Sequence, residues 1–361
     1  MSKFLISKYQ NIEKYVPGEQ PQNMESFIKL NTNESPYPPS PGVMKAISEN
    51  EIFNLRLYSD PESTFLKQKL AALYDVNPDN LFLSNGSDDI LNFIFMIFCG
   101  SEKEIMFPEI SYGFYKVYAQ LHEVRSLQVP LKKDFGINFI DYCNAGRNII
   151  IANPNPPSGQ TLSFEKIETI VSTNPDNLVV IDEAYVDFGT ESVVPLIKKY
   201  PNLLVVQTFS KSRSMAGARL GFAVGDVQLI EDLHTIQYST NPYNINRLTQ
   251  SAACAAIDEN DYYVDRCKEI AKTREFTIEE LRKIGFYVVP SKANFIFIRH
   301  DRIDGEELYL KLKERKILIR HFSDENIRQF NRVTIGTRAQ MNSFIQQVKD
   351  ILEESEGNNN A

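Results

Sequence analysis

The 361-residue sequence predicts an α/β protein: a large domain with a mostly parallel sheet covered by helices, and a smaller α+β domain. Three observations lead there. From Asn80 onward short apolar runs alternate with segments of helical periodicity, which is how strands joined by right-handed crossovers read. Runs such as Val179-Val180-Ile181 and Leu203-Leu204-Val205-Val206 are continuously apolar, as in strands buried on both faces. After about residue 245 the pattern changes to a long helical region followed by short strands, which marks a second unit.

The elements follow in order. Residues 30–41 hold too many prolines for a helix or a central strand and form an extended arm. Helix signals run from Pro41 through Ile47 and again from Ser63, a candidate N-cap, with Leu66, Leu70 and Leu73 on one face. Strands are expected at 81–83, 104–107, 124–129, 148–152, 178–181, 203–208 and 222–224, with helices such as 111–121 and 163–171 between them. A helical region then reaches Lys283, interrupted near Asn260. Strands at 286–289 and 294–299, a helix at 305–315, strands at 317–320 and 332–335 and a last helix from Ala339 complete the chain. The division is an arm at 1–40 joined to the small domain, a large domain at 41–260, a small domain at 261–354 and a frayed tail at 355–361.

Composition narrows the function. A net charge of −8 argues against a nucleic-acid binder. Cys99, Cys143, Cys254 and Cys267 are scattered, so neither a disulfide frame nor a zinc site is expected, and the four histidines show no ligand spacing. The apolar part of the first eight residues is too short for a signal peptide, and no stretch reaches spanning length; a cytoplasmic protein is expected.

The chemistry gathers at strand ends. Ser210-Lys211 follows the apolar run at 203–206, and Arg219 stands eight positions later, beyond a Gly/Ala-rich turn. A lysine held there can lose its proton and form a Schiff base with a carbonyl. Leu83-Ser84-Asn85-Gly86-Ser87-Asp88 leads into a helix and reads either as a phosphate cup or as a plain N-cap. Asp182, directly after a buried strand, calls for a cationic partner such as a protonated ring nitrogen. A magnesium-binding Asp182-Glu183 pair recedes because no phosphate-binding Gly-x-x-x-x-Gly-Lys loop occurs. Asn153-Pro154-Asn155-Pro156-Pro157-Ser158-Gly159 can present an amide or simply turn the chain. Together these segments match pyridoxal phosphate, which needs a lysine for its aldehyde, an acid for its ring nitrogen and an anion cup with an arginine.

On these residues the chain resembles the fold-type I pyridoxal-phosphate aminotransferases, and most closely their histidinol-phosphate aminotransferase branch. The segments that carry the likeness are Leu30 to Tyr37, Tyr58-Ser59-Asp60-Pro61, Asn85 to Asp88, Asp182 to Tyr185, Ser210 to Arg219 and Arg332 to Thr337. The resemblance implies that Lys211 holds the cofactor and shuttles the proton, Asp182 keeps the ring nitrogen protonated, Tyr185 bonds the 3-oxygen and Tyr112 stacks on the ring. It implies that Ser210, Arg219 and the amides of Gly86, Ser87 and Asp88 take the phosphate, joined by Tyr58 of a neighbouring subunit in a homodimer. Arg332 and Arg320 would take the anionic groups of the substrates, with Tyr15 and Asn33 nearby. The chain departs from the family where Pro156 replaces the amide that normally touches the 3-oxygen, and Asn155 is expected to take its place. Ser59 replaces a proline, with little expected effect. The activity implied is transfer of an amino group from L-histidinol phosphate to 2-oxoglutarate. A threonine-phosphate decarboxylase or an aromatic aminotransferase of the same fold are the alternatives. A non-catalytic cofactor-binding module would need a DNA-binding appendage and is not expected.

Overall fold

The computed structural model describes residues 2–10, 12, 15–23 and 26–359. The arm carries β1 (Ile28–Lys29), and the large sheet is built from β2 (Leu81–Ser84), β3 (Ile105–Pro108), β4 (Ser126–Val129), β5 (Asn148–Ala152), β6 (Val179–Asp182), β7 (Leu203–Thr208) and β8 (Gly221–Gly225). Its strand order is β2-β8-β7-β6-β5-β3-β4. The pairs from β7 across to β4 are parallel, while β8 runs antiparallel to both β7 and β2. No crossover helix joins β7 to β8, so the chain turns back beside the strand it has just left. Lys211 and Arg219 both lie in that turn.

Alternate residues of each central strand face different cores. Ile149, Ile151, Val179, Ile181, Leu203 and Val205 pack on one side. Ile150, Val180, Leu204 and Val206 pack on the other. Burial on both faces accounts for the continuously apolar runs. The strand order doubles back between β3 and β5, and in such sheets the crevice beyond the carboxyl ends at that point accepts ligands.

The second sheet is antiparallel, in the order β12-β13-β10-β9, from β9 (Tyr287–Val289), β10 (Phe295–Arg299), β12 (Arg320–His321) and β13 (Asn331–Thr334). The remaining strand, β11 (Ile317–Leu318), pairs in parallel with β1 of the arm, Ile28 opposite Ile317. The single strand expected at 317–320 is therefore divided, because its two halves find different partners. Ser63 makes no side-chain cap: it has φ 49°, and the amide of Thr64 donates instead to Asp60 Oδ2 at 2.8 Å. Leu66 and Leu70 are buried as expected, but Leu73 is 36% exposed. The last helix, Arg338–Asn359, continues past the point where fraying is expected, with no helix breaker before Gly357; residues 360 and 361 lie outside the described part. Among the described residues no helix is long and apolar enough to cross a membrane, and no cluster of His, Cys, Asp and Glu could hold a metal ion.

Candidate active site

Four strand ends and one helix start converge on a small cavity lined by Ser87, Asp88, Tyr112, Asp182, Tyr185, Ser210, Lys211 and Arg219, among others. Tyr112, Pro156, Tyr185 and Lys211 also line a larger cavity of about 310 Å³, which extends to Tyr15, Asn33, Arg320 and Arg332.

Lys211 sits just beyond β7, and its Nζ donates to the carbonyl of Thr32 at 3.1 Å. Burial, with the Arg332 charge nearby, pushes this amine down to about 8, against the opposing pull of Glu34 and Asp88. Far more of it is neutral near pH 8 than of a surface lysine. Asp182 ends β6 and is 5% exposed. Its Oδ2 accepts from Tyr115 Oη at 2.8 Å and its Oδ1 from the amide of Ala184 at 3.1 Å. Burial raises its carboxyl to about 6, and Asp88 adds to the rise, while Tyr115, Ala184 and Lys211 oppose it. Such a carboxylate is short of a cation, and a protonated ring nitrogen would supply one.

The cup forms at the start of the helix Ser87–Phe98, whose N-cap is Gly86 with φ 91°. A Cβ on Gly86 would come within 2.6 Å of Arg219 Nη2, so that guanidinium would have to shift, and the left-handed φ itself favours glycine. Arg219 spans Asp88 Oδ2 at 3.1 Å and Ser210 Oγ at 3.3 Å. Helix amides, a guanidinium and a serine hydroxyl together could hold an anion. Tyr112 Oη donates to Asp88 Oδ1 at 2.6 Å. Tyr185 Oη accepts from Asn33 Nδ2 at 3.0 Å. Asn33 is itself fixed by Thr334, which donates to its Oδ1 at 3.0 Å, and by Asn294, which donates to its carbonyl at 2.9 Å.

Asn155 does not take the place of the missing amide. It is fully buried, its Nδ2 donates to the carbonyl of Ile110 at 2.9 Å, and its Oδ1 accepts from Ser111 Oγ at 2.6 Å. A carboxamide held at both ends by the 110–111 loop lies outside the lining of both cavities, where Pro156 stands instead.

The two arginines differ. They face each other across the β12–β13 pair. Arg320 gives its Nη1 to the carbonyl of Pro17 at 3.2 Å and its Nη2 to that of Val16 at 2.9 Å, and so holds the arm. Arg332 gives Nη2 to the carbonyl of Asn31 at 3.0 Å, but its buried Nε has no hydrogen-bond partner among the described residues. An orphaned donor on a buried guanidinium points to an anion. Tyr15 stacks on Phe114 at 4.2 Å between ring centroids. Tyr58 lies outside both cavities: it is 79% exposed and stacks on Tyr243 at 4.4 Å. Tyr115 escaped the sequence reading, although its position three residues after Tyr112 on a helix was a signal that the two side chains share a face.

The buried acid, the low-pKa lysine and the anion cup fit pyridoxal phosphate, and with a mostly parallel sheet beneath them they define a fold-type I aminotransferase architecture. The chain belongs to the aminotransferase class I and II family, whose model matches residues 25–348. It is 50% identical to a histidinol-phosphate aminotransferase of Brachyspira hyodysenteriae over 354 residues, 98% of this chain and 100% of that one. The crystal structure of a histidinol-phosphate aminotransferase from Sinorhizobium meliloti in complex with pyridoxal-5'-phosphate superposes with a TM-score of 0.86 at 23% identity, covering 98% of this chain and 100% of that one. The structure of an L-threonine-O-3-phosphate decarboxylase from Porphyromonas gingivalis does so with 0.79 at 24% identity, covering 90% and 99%. At that distance the fold is shared by both activities and does not separate them.

Proposed function

We propose that this chain is a pyridoxal-phosphate-dependent aminotransferase that carries the amino group of L-histidinol phosphate to 2-oxoglutarate, giving imidazole acetol phosphate and L-glutamate in a ping-pong cycle. It would act in the cytoplasm, in histidine biosynthesis. One arrangement carries the proposal: the cavity that contains Lys211 is walled by two neighbouring arginines, one of them with an unsatisfied buried donor. The likeness in sequence to the Brachyspira protein supports the choice of substrate.

Bound pyridoxal phosphate supplies an aldehyde that condenses with amines and a ring that draws electrons from the bond being broken. Lys211, its amine held low by burial, takes the α-proton of the donor and returns a proton to the acceptor. Asp182 would pair with the ring nitrogen, Tyr112 would cover the ring and Tyr185 would hold the 3-oxygen. Arg219, Ser210 and the helix amides from Gly86 to Asp88 would take its phosphate. Arg332 binds the phosphate of one substrate and a carboxylate of the other in turn, since a guanidinium suits both. Arg320 keeps the arm over the cavity, with Tyr15 beside it. The exposed Tyr58 would complete the cup of a second subunit; Ile52, Phe53, Leu55 and Leu57 near it in the chain are also exposed, as expected of a surface covered in a homodimer.

Replacing Arg332 with glutamine should raise KM for histidinol phosphate about 100-fold, the scale of truncating a buried charge-pair partner. Arg320→Gln should raise it by no more than about tenfold, because that side chain mainly braces backbone. Steady-state kinetics of both variants check this, and equal effects would contradict the division of labour.

The substrate is tested by a half-reaction screen. The holoenzyme is mixed in turn with histidinol phosphate, glutamate, phenylalanine and threonine phosphate, and the change in cofactor absorbance is followed. Histidinol phosphate and glutamate should react fastest. Phenylalanine reacting as fast as histidinol phosphate, or carbon dioxide released from threonine phosphate, would overturn the assignment.

A further inference from the structure

Three tyrosines, Tyr112, Tyr115 and Tyr118, recur at spacing three through the helix Phe114–Leu121 and the turn before it. All three turn their hydroxyls onto acidic residues of the site. Tyr112 donates to Asp88 Oδ1 at 2.6 Å, Tyr118 to the Asp88 carbonyl at 2.9 Å and Tyr115 to Asp182 Oδ2 at 2.8 Å. We propose that Tyr115 is a positioning residue that keeps Asp182 ionised, so that the proton the carboxylate shares with the ring nitrogen of bound pyridoxal phosphate rests on the nitrogen. This rests on the cofactor reading above and on nothing about the amino donor.

One proton lies between the two groups, either as carboxylic acid against neutral nitrogen or as carboxylate against pyridinium. No other bond is made or broken in moving between these forms. A donor to the carboxylate favours the second form, and burial of the carboxylate favours the first. The charged and titratable groups that bear on Asp182 are Tyr115 from the helix, Asp88 from the cup and Lys211 from the β7–β8 turn; the amide of Ala184 adds a backbone hydrogen bond. Among the described residues Tyr115 is the side chain that hydrogen-bonds the carboxylate. Its phenol is held well above the ordinary range, by burial first and then by the Asp182 charge, so it remains a donor throughout the working pH range. Its ring is fully buried, edge-on to Tyr112 with centroids at 5.7 Å and tilted against Phe107 at 5.8 Å. The same turn that sets Tyr112 toward the cofactor ring thus also sets the charge state at the opposite partner of the ring nitrogen.

Tyr115→Phe removes the hydroxyl and keeps the ring. The test is ¹⁵N NMR of holoenzyme carrying pyridoxal phosphate labelled at the ring nitrogen, without substrate. Wild type should show a pyridinium resonance, and Tyr115→Phe should move it toward the neutral pyridine position marked by Asp182→Asn. The donor half-reaction should slow about tenfold or more, the scale of a lost hydrogen bond to a charged group. A purely structural role would lower the melting temperature and leave the resonance in place, and that result overturns the proposal. A neutral nitrogen in wild type overturns it without any variant. Wild type that fails to bind pyridoxal phosphate would overturn the cofactor reading as well. Wild type that binds it and ignores histidinol phosphate would overturn the substrate assignment alone, because the resonance is measured without substrate.

Discussion

Lys211→Ala should lower turnover about 10⁴-fold, the upper range for loss of a positioned general base, and should abolish the visible absorbance of covalently held cofactor. Both effects follow from the same amine. It lies in the β7–β8 turn, where burial and Arg332 favour its neutral form. Its hydrogen bond to the Thr32 carbonyl gives the freed side chain a place within the cavity. Lys29 and Lys116 are poor substitutes. Lys29 is paired with Glu34, and Lys116 lines the outer cavity and not the inner one. The variant should still fold, since the lysine makes one hydrogen bond and no ion pair among the described residues, and its circular dichroism should match wild type. A variant with wild-type absorbance would remove Lys211 from the mechanism.

Asp182→Asn should lower turnover by about 10²–10³-fold, comparable with deleting one preorganised electrostatic contact at a reacting centre. Asparagine nearly matches aspartate in shape, and its amide oxygen can still accept from Tyr115. It cannot carry the charge that balances a ring cation, so the loss isolates electrostatics from packing. Single-turnover rates with histidinol phosphate are the measurement. A rate close to wild type would mean that the carboxylate is structural, held only to close the end of β6.

Much of the large sheet was legible because its strands are buried on both faces and so stand out as continuously apolar runs. The small domain was less so. That Ile317 and Leu318 pair with the arm depends on contacts between segments nearly 300 residues apart, which no local pattern announces, while Arg320 pairs with the nearby β13. At the site, Lys211 and Asp182 could be picked out because a polar residue at the end of a buried strand breaks the pattern around it. Asn155 misled for a local reason: a proline-rich turn can present an amide, but the Ile110 carbonyl and the Ser111 hydroxyl, close in space and distant in sequence, claim it first. Tyr115 was hidden by its apolar ring, which reads as ordinary core on an amphipathic helix; only the placement of Asp182 Oδ2 at 2.8 Å gives its hydroxyl a meaning.

Lys211 would be the residue to which pyridoxal phosphate is covalently joined. Reduction of the holoenzyme with borohydride fixes the cofactor to whichever amine carries it, and peptide mass mapping then identifies that amine. A pyridoxyl-phosphate adduct on the peptide containing Lys211 is the predicted result; an adduct on another lysine, or none at all, would contradict it.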